Sequence, residues 1–443
     1  MKRDLEKELI RWKNSKERKP IIIRGMRQVG KTWLVREFAK SHFDSYEEIN
    51  FEQSPELKSC FIKPDPAEIL KLLQLNLEKN IVPGKTLLFL DEIQDCPQAI
   101  LSFRYFFEQM PQLHIIGAGS LLEFTFNSDD FRMPVGRIDF LYLHPLSFGE
   151  FLEASGRRQL REYCQNVNPA EAVDNALEQK LSGLVADYCL CGGMPRAARA
   201  MVEDHDIELV NREQLSIIQT YRRDFGKYAK RISSELMEKV FSSMPGMVGK
   251  KYKYVEVDEN ARAADIRKAL TMMEKAGIMN RVFSTSGAGL PLSMHKKENV
   301  FKVLFADVGL MQRMLGISAE IYMGKNLLDV YRGSVAEQYV GQQLLALLPP
   351  YSDEGLFYWH RDKLNSQAEV DYLWQFDSHI IPVEVKSGKT GRLRSLHQFF
   401  IEYKPPLAIK ISRNPHNFQD NILSVPLWGI EGLDRLLKRY LVA

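Results

Sequence analysis

Eight consecutive residues, Gly25-Met26-Arg27-Gln28-Val29-Gly30-Lys31-Thr32, fit the spacing G-x-x-x-x-G-K-[ST]. Their types suit a phosphate cradle. Glycines let backbone N–H groups close around phosphate oxygens, and a following helix presents its positive end to them. Lys31 then reaches the outer phosphates of a nucleoside triphosphate, and Thr32 offers its hydroxyl to Mg2+. Further along, Leu87-Leu88-Phe89-Leu90 runs into Asp91-Glu92. Four apolar residues predict a buried strand, with Asp91 emerging at its carboxyl end, where ligands of open α/β sheets sit. Asp91 is placed to hold the Mg2+, and Glu92 to polarise an attacking water. Another apolar run, Leu113 to Gly119, ends in Ser120. That serine either senses the outer phosphate or caps the next helix, and the sequence leaves both roles open.

A second set of reactive types stands near the carboxyl end: Glu369-Val370-Asp371 and Glu384-Val385-Lys386. In a strand, residues i and i+2 face the same side, so Glu384 and Lys386 point together. Gln375-Phe376-Asp377-Ser378 predicts a turn that folds Asp371 opposite Glu384 across a hairpin. Two carboxylates and the Val385 carbonyl suit Mg2+, a hard cation that takes oxygen ligands. Glu337, on a preceding helix, supplies a further carboxylate, and Lys386 orients or deprotonates water. Taken alone, a Glu-x-Lys pair on a strand also serves as a solvated ion pair.

The elements that must position these residues follow from periodicity. From Lys19 to about Phe151 apolar runs alternate with amphipathic helices, which predicts a parallel α/β sheet with strands at 20–23, 46–51, 86–90, 113–117 and 139–143. The stretch from Gly149 to Lys230 reads as mostly helical, broken at Cys191-Gly192-Gly193-Met194-Pro195. Residues 232–300 read as a small winged-helix unit, with a helix over 264–270 carrying Met273 inward and a β wing beginning at Ile278 to Phe283. From Phe301 a second α/β unit is expected: a helix through Glu337, then strands near 356–360, 368–375 and 379–385.

Composition bounds the partners. The chain has 443 residues and a formal charge of +3, too balanced for a general polycation. Cys60, Cys96, Cys164, Cys189 and Cys191 form no C-x-x-C pair, so reduced thiols are expected. The start of the chain is a charged amphipathic helix, and no apolar run approaches the roughly 20 residues of a membrane span. A cytoplasmic protein without membrane association is expected. Lys250, Lys251, Lys253, Arg262, Arg267 and Lys268 offer phosphate contacts, interleaved with Glu256, Asp258, Glu259 and Asp265. Tyr221-Arg222-Arg223-Asp224 and Lys227-Tyr228-Ala229-Lys230-Arg231 mix aromatics with cations in the manner of nucleic-acid surfaces.

Taken with the runs above, Arg24-Gly25, Ile93-Gln94, Gly136-Arg137, Pro145-Leu146-Ser147-Phe148-Gly149-Glu150-Phe151, Gly192-Gly193-Met194-Pro195 and Asp307-Val308-Gly309-Leu310 complete a pattern. The chain resembles bacterial AAA-type ATPases with a C-terminal domain of uncharacterised function and restriction-endonuclease-like core. One position departs: Ile116 stands where that family usually has a threonine before Gly-Ser-type residues, which weakens a sensor role there. The resemblance implies an α/β fold: an AAA-type P-loop parallel sheet over 1–152, a helical lid and connector over 153–231, the winged helix over 232–300 and a nuclease-like domain over 301–443. It implies ATP with Mg2+ as cofactors, and Arg137 as an arginine finger acting on a neighbouring copy, hence a homo-oligomer. It places Pro195 at the adenine and Arg196 in a lid, and implies nucleic acid as partner, DNA rather than RNA. Two readings of the whole follow. Either ATP turnover gates nucleic-acid engagement or cleavage at Asp371, Glu384 and Lys386, or the C-terminal domain binds without cutting.

Overall fold

The computed structural model describes residues 1–120, 136–169, 171–228, 232–317, 333–352, 354–361, 368–387 and 393–441. These form two compact units. The first comprises Met1–His144 with the short segments Lys275–Gly277 and Pro349–Asp353; the second comprises the remainder.

In the first unit, strands β1 (Ile21–Arg24), β2 (Ser45–Asn50), β3 (Thr86–Asp91), β4 (His114–Ala118) and β5 (Asp139–Tyr142) lie within one residue of the expected spans. They pair in parallel in the order β2-β3-β4-β1-β5. Strands covered on both faces read as continuous apolar runs, as β3 and β4 do, each buried along its whole length. Helices α1 (Glu6–Lys13), α2 (Lys31–His42), α3 (Pro66–Leu77) and α4 (Pro97–Gln109) accompany the sheet. α3 starts where Asp65 caps the Glu68 amide and Pro66 occupies the first turn. Ile69 and Leu73 of α3 and Ile100, Phe103 and Phe106 of α4 pack with Leu88, Leu90 and Ile115 in one core. Because β1, β3 and β4 run parallel, the P-loop, Asp91 and Ser120 all lie at the carboxyl ends of their strands, on the same end of the sheet.

The second unit opens with helices Phe148–Ala154, Arg158–Asn166, Asn175–Cys191, Pro195–Arg199 and Ile207–Tyr228, in agreement with the helical reading and its break after Cys191. Helices Ser234–Met247 and Ala263–Lys275 follow, the latter burying Ile266, Ala269, Leu270 and Met273. Then comes an eight-stranded sheet in the order β12-β13-β11-β10-β9-β8-β6-β7. Its strands are β6 (Met279–Thr285), β7 (Lys296–Phe305), β8 (Phe357–His360), β9 (Glu369–Phe376), β10 (His379–Val385), β11 (Ala408–Ser412), β12 (Asn417–Gln419) and β13 (Ile422–Pro426).

Here the structure departs from the domain scheme drawn from sequence. The expected wing is β6, but it is an interior strand, antiparallel to β7 and parallel to β8. The boundary expected at residue 300 falls inside β7, and residues 301–305 extend that strand where a helix was expected. The physical reason is the run Phe301 to Phe305, buried throughout, which needs the sheet to cover it. Residues 229–231 of the aromatic–cation run lie outside the described residues. Among the described residues no helix is long and apolar enough to cross a membrane, and all five cysteines are free and buried.

Candidate functional sites

The P-loop turns on two glycines. Gly25 stands at φ 151°, where a side chain would run into the Leu143 carbonyl, and Gly30 at φ 98° caps α2. A glycine cap brings no side chain over the first-turn N–H groups of α2, which leaves them facing the loop. Lys31 is buried, and its Nζ donates to the carbonyls of Gly25 (2.9 Å) and Met26 (3.0 Å). Burial brings its pKa down to about 8, opposed by Glu92 and Asp91 and assisted by Arg27.

Thr32 Oγ1 donates to Asp91 Oδ2 at 3.0 Å, so the two nucleotide motifs meet directly. Asp91 is raised to about 6, chiefly by burial and then by the neighbouring Glu92 charge, against the Thr32 hydrogen bond. Asn50, at the end of β2 opposite Asp91, donates through Nδ2 to the same oxygen at 3.4 Å. Sequence reasoning missed Asn50; its position at the carboxyl end of the adjacent parallel strand was the available signal. Glu92 stands at φ 48°, and its Oε2 accepts from Gln94 Nε2 at 2.6 Å. Ser120 accepts through Oγ from Arg27 Nε at 3.3 Å, tying the end of β4 to the loop itself. These donors fit a nucleotide with Mg2+: a carboxylate and a hydroxyl already in contact, a lysine held by loop carbonyls, and an uncovered helix start.

Arg137 lies on the surface, its Nε 2.9 Å from Glu108 Oε1. Pro195 and Arg196 belong to the second unit, where Pro195 opens the helix Pro195–Arg199 and Arg196 lies 3.8 Å from Glu213.

In the second unit, β9 and β10 form the expected hairpin, with Val383 opposite Tyr372. Asp371 Oδ2 accepts from the Val385 amide at 2.8 Å, so this residue engages Asp371 through its N–H. Lys386 Nζ bonds Glu384 Oε1 at 2.5 Å, while Glu384 Oε2 is buried without a hydrogen-bond partner. The residue that sequence reasoning missed is Lys302 of β7. Its Nζ lies 2.8 Å from Glu337 Oε1, 2.6 Å from Glu369 Oε1 and 3.7 Å from Asp371 Oδ1. The Tyr358 ring lies 5.1 Å from the same nitrogen. A lone lysine inside the apolar run Phe301 to Phe305 was the signal. Burial opposes its charge, but Glu337, Asp371 and Glu369 together hold the ammonium's pKa well above the ordinary lysine value. Burial also raises Glu337, against the pull of Lys302, and raises Glu384 with help from Asp371. Among the described residues no three His, Cys, Asp or Glu side chains gather as a ready metal-binding group. The carboxylates face an ammonium instead.

The remaining motifs build structure in the second unit. Asp307, fully buried, accepts from the amides of Gly193 (2.6 Å), Gly309 (3.0 Å) and Leu310 (3.0 Å) and from Gln342 Nε2 (3.2 Å). A side chain at Gly192 would run into its carboxylate. Leu146 N donates to Gly193 O at 2.7 Å, and Ser147 with Glu150 forms a capping box on the next helix. A side chain on Gly149 would meet the Glu431 carboxylate, which binds Arg161.

Comparison with known proteins bears on the first unit. Residues 17–152 match the family model described as an AAA domain. This segment is an AAA-type P-loop ATPase domain. Residues 182–321 and 332–428 match two models described as domains of unknown function, DUF8612 and DUF4143. No curated protein matches the chain. Among solved structures, a Walker-type ATPase of Pyrococcus abyssi is similar at 15% identity and TM-score 0.44, covering 71% of this chain and 95% of that one. The Aeropyrum pernix ORC1 protein in complex with DNA is similar at 16% identity and TM-score 0.26, covering 73% and 95%. The RuvB Holliday junction branch migration motor of Thermotoga maritima is similar at 14% identity and TM-score 0.30, covering 63% and 89%.

Proposed function

We propose that the first unit binds ATP with Mg2+ and hydrolyses it, and that turnover sets the binding state of the second unit. The observation that carries this is the Thr32–Asp91 hydrogen bond beside Lys31. Thr32 and Asp91 would hold Mg2+, Lys31 with the amides of Gly25 to Gly30 would hold the phosphates, and Glu92 would orient water for attack. Mg2+, when bound, supplies charge neutralisation on the transferring phosphoryl group. Glu92→Gln should keep ATP binding and lose hydrolysis by about 10²–10⁴-fold, whereas Lys31→Ala should lose binding as well. Equal phosphate release from wild type and Glu92→Gln would exclude Glu92 as the residue that activates water.

Arg137 as a finger in trans, and with it a homo-oligomer, is a further element of this reading. Arg137→Ala should lose ATPase activity, and mixing it with Lys31→Ala should restore part of it. No recovery in a mixture shown to assemble would exclude Arg137 as a finger acting in trans.

For the second unit, the winged-helix and nuclease-like readings would have it engage nucleic acid, DNA rather than RNA, through the lysines and arginines of 250–268. Lys253 and Lys268 are each ion-paired, to Glu256 and Asp265, which reduces the charge available to phosphates. Cleavage at Asp371, Glu384 and Lys386 would need a divalent metal among the carboxylates. Lys302, seated among three of them, favours the second reading: a binding module that does not cut. A Mg2+-dependent cleavage lost in Glu384→Ala would reverse that preference.

A further inference from the structure

We propose that Lys302 is the resident cation facing Glu337, Glu369 and Asp371, neutralising the carboxylates that a divalent metal would need and so keeping metal from binding among them. The inference rests on the non-cleaving reading of that unit.

Three elements converge on one nitrogen. Glu337 comes from the helix Ser334–Leu347, Glu369 and Asp371 from alternate positions of β9, and Lys302 from β7. The ammonium lies within hydrogen-bond distance of Glu337 and Glu369 and within ion-pair distance of Asp371. Its side chain is 2% exposed, and the Tyr358 ring lies beside the nitrogen. Glu384, 5% exposed, adds a buried carboxylate oxygen with no hydrogen-bond partner, a sign that this end of the sheet carries more acceptor capacity than the chain's own donors fill.

A tethered lysine has lasting advantages over a free ion there. Its local concentration is set by the fold, and its donors need no dehydration of a tightly held water shell, which Mg2+ gives up reluctantly. Mg2+ also requires octahedral oxygens at about 2.0–2.1 Å, so its entry demands that Lys302 leave. Removing the ammonium leaves the three carboxylates that face it without their counter-charge, and a divalent cation drawing them together would relieve their repulsion.

The test uses the full chain without nucleotide, in an Asp91→Asn background that removes the metal-binding carboxylate of the P-loop site, and follows Mn2+ uptake by electron paramagnetic resonance. The Lys302-containing chain should take up no Mn2+ at this cluster. Lys302→Met should gain one bound Mn2+ per chain, and adding Asp371→Asn should abolish that gain. Lys302→Arg, which keeps the cation, should resemble the parent. Uptake by the parent that Asp371→Asn removes would overturn the proposal, whether or not Lys302→Met folds. A folded Lys302→Met chain, judged by circular dichroism, that binds no Mn2+ would overturn it too. Metal uptake by the parent without cleavage defeats the resident-lysine inference alone. Metal-dependent cleavage of DNA or RNA by wild type, lost in Asp371→Asn, defeats the non-cleaving reading with it.

Discussion

Glu92 sits at φ 48°, a conformation that residues bearing side chains adopt only where their surroundings hold them in it. The Gln94 side chain bonds its carboxylate, so the residue next to Asp91 is fixed at both backbone and side chain. Asn50 does comparable work on Asp91: its amide donates to the oxygen that also accepts from Thr32. Orienting groups around metal-binding carboxylates typically matter by about 10–100-fold in metal affinity or activity. Asn50→Ala should therefore raise the Mg2+ concentration needed for half-maximal ATP hydrolysis by roughly tenfold or more, beyond whatever stability is lost with the Glu52 and Gln53 amides that Asn50 Oδ1 accepts. An unchanged Mg2+ dependence would show that Asp91 keeps its position without Asn50.

At the scale of elements, the same logic separates motifs that work on a ligand from motifs that work on the fold. Gly192-Gly193 and Asp307-Val308-Gly309-Leu310 are far apart in sequence, yet Asp307 joins them by accepting three amides and the Gln342 side chain. Removing such an acceptor strands several buried donors at once. Asp307→Ala should cost about 3–5 kcal/mol, read as a lowered denaturation midpoint of the chain. Asp307→Asn keeps the size and one acceptor oxygen and should cost less. If both variants unfold with the wild type, the hydrogen-bond hub contributes nothing net. Local patterns made part of this legible. Strands β1, β3, β4 and β5 were readable because each centres on a short apolar run, β2 because buried and less buried positions alternate along Ser45–Asn50, and the β9–β10 hairpin because its turn residues are local. The β6–β8 pairing was not, since parallel neighbours more than 70 residues apart leave no periodic trace. Lys302 stayed hidden for a related reason. Its partners come from a helix and a strand that only the folded sheet brings alongside β7, whereas Asp371 and Glu384 were a hairpin apart and readable.

For the molecule as a whole, buried titratable groups set how stability responds to acid. His416 is buried beside Trp428, ring centroids 5.6 Å apart, and burial pulls its pKa down to about 4 from the usual 6.5. The folded state thus holds it neutral where the unfolded chain would take up a proton. Its contribution is fully present above the unfolded value of 6.5 and is lost as pH falls from there to about 4. At most it amounts to about 3 kcal/mol across that window. Asp91 works in the opposite direction, because its folded pKa of about 6 lies above the unfolded carboxylate value, so acid relieves its burial. The wild-type acid profile is a sum of such terms, and the informative quantity is the difference between two chains. His416→Gln should lose part of its stability at neutral pH and show a shallower fall between about pH 6.5 and pH 4, followed through Trp428 fluorescence in denaturant titrations. Parallel profiles for the two chains would mean that His416 binds its proton equally well folded and unfolded, and that the packing around Trp428 tolerates the imidazolium.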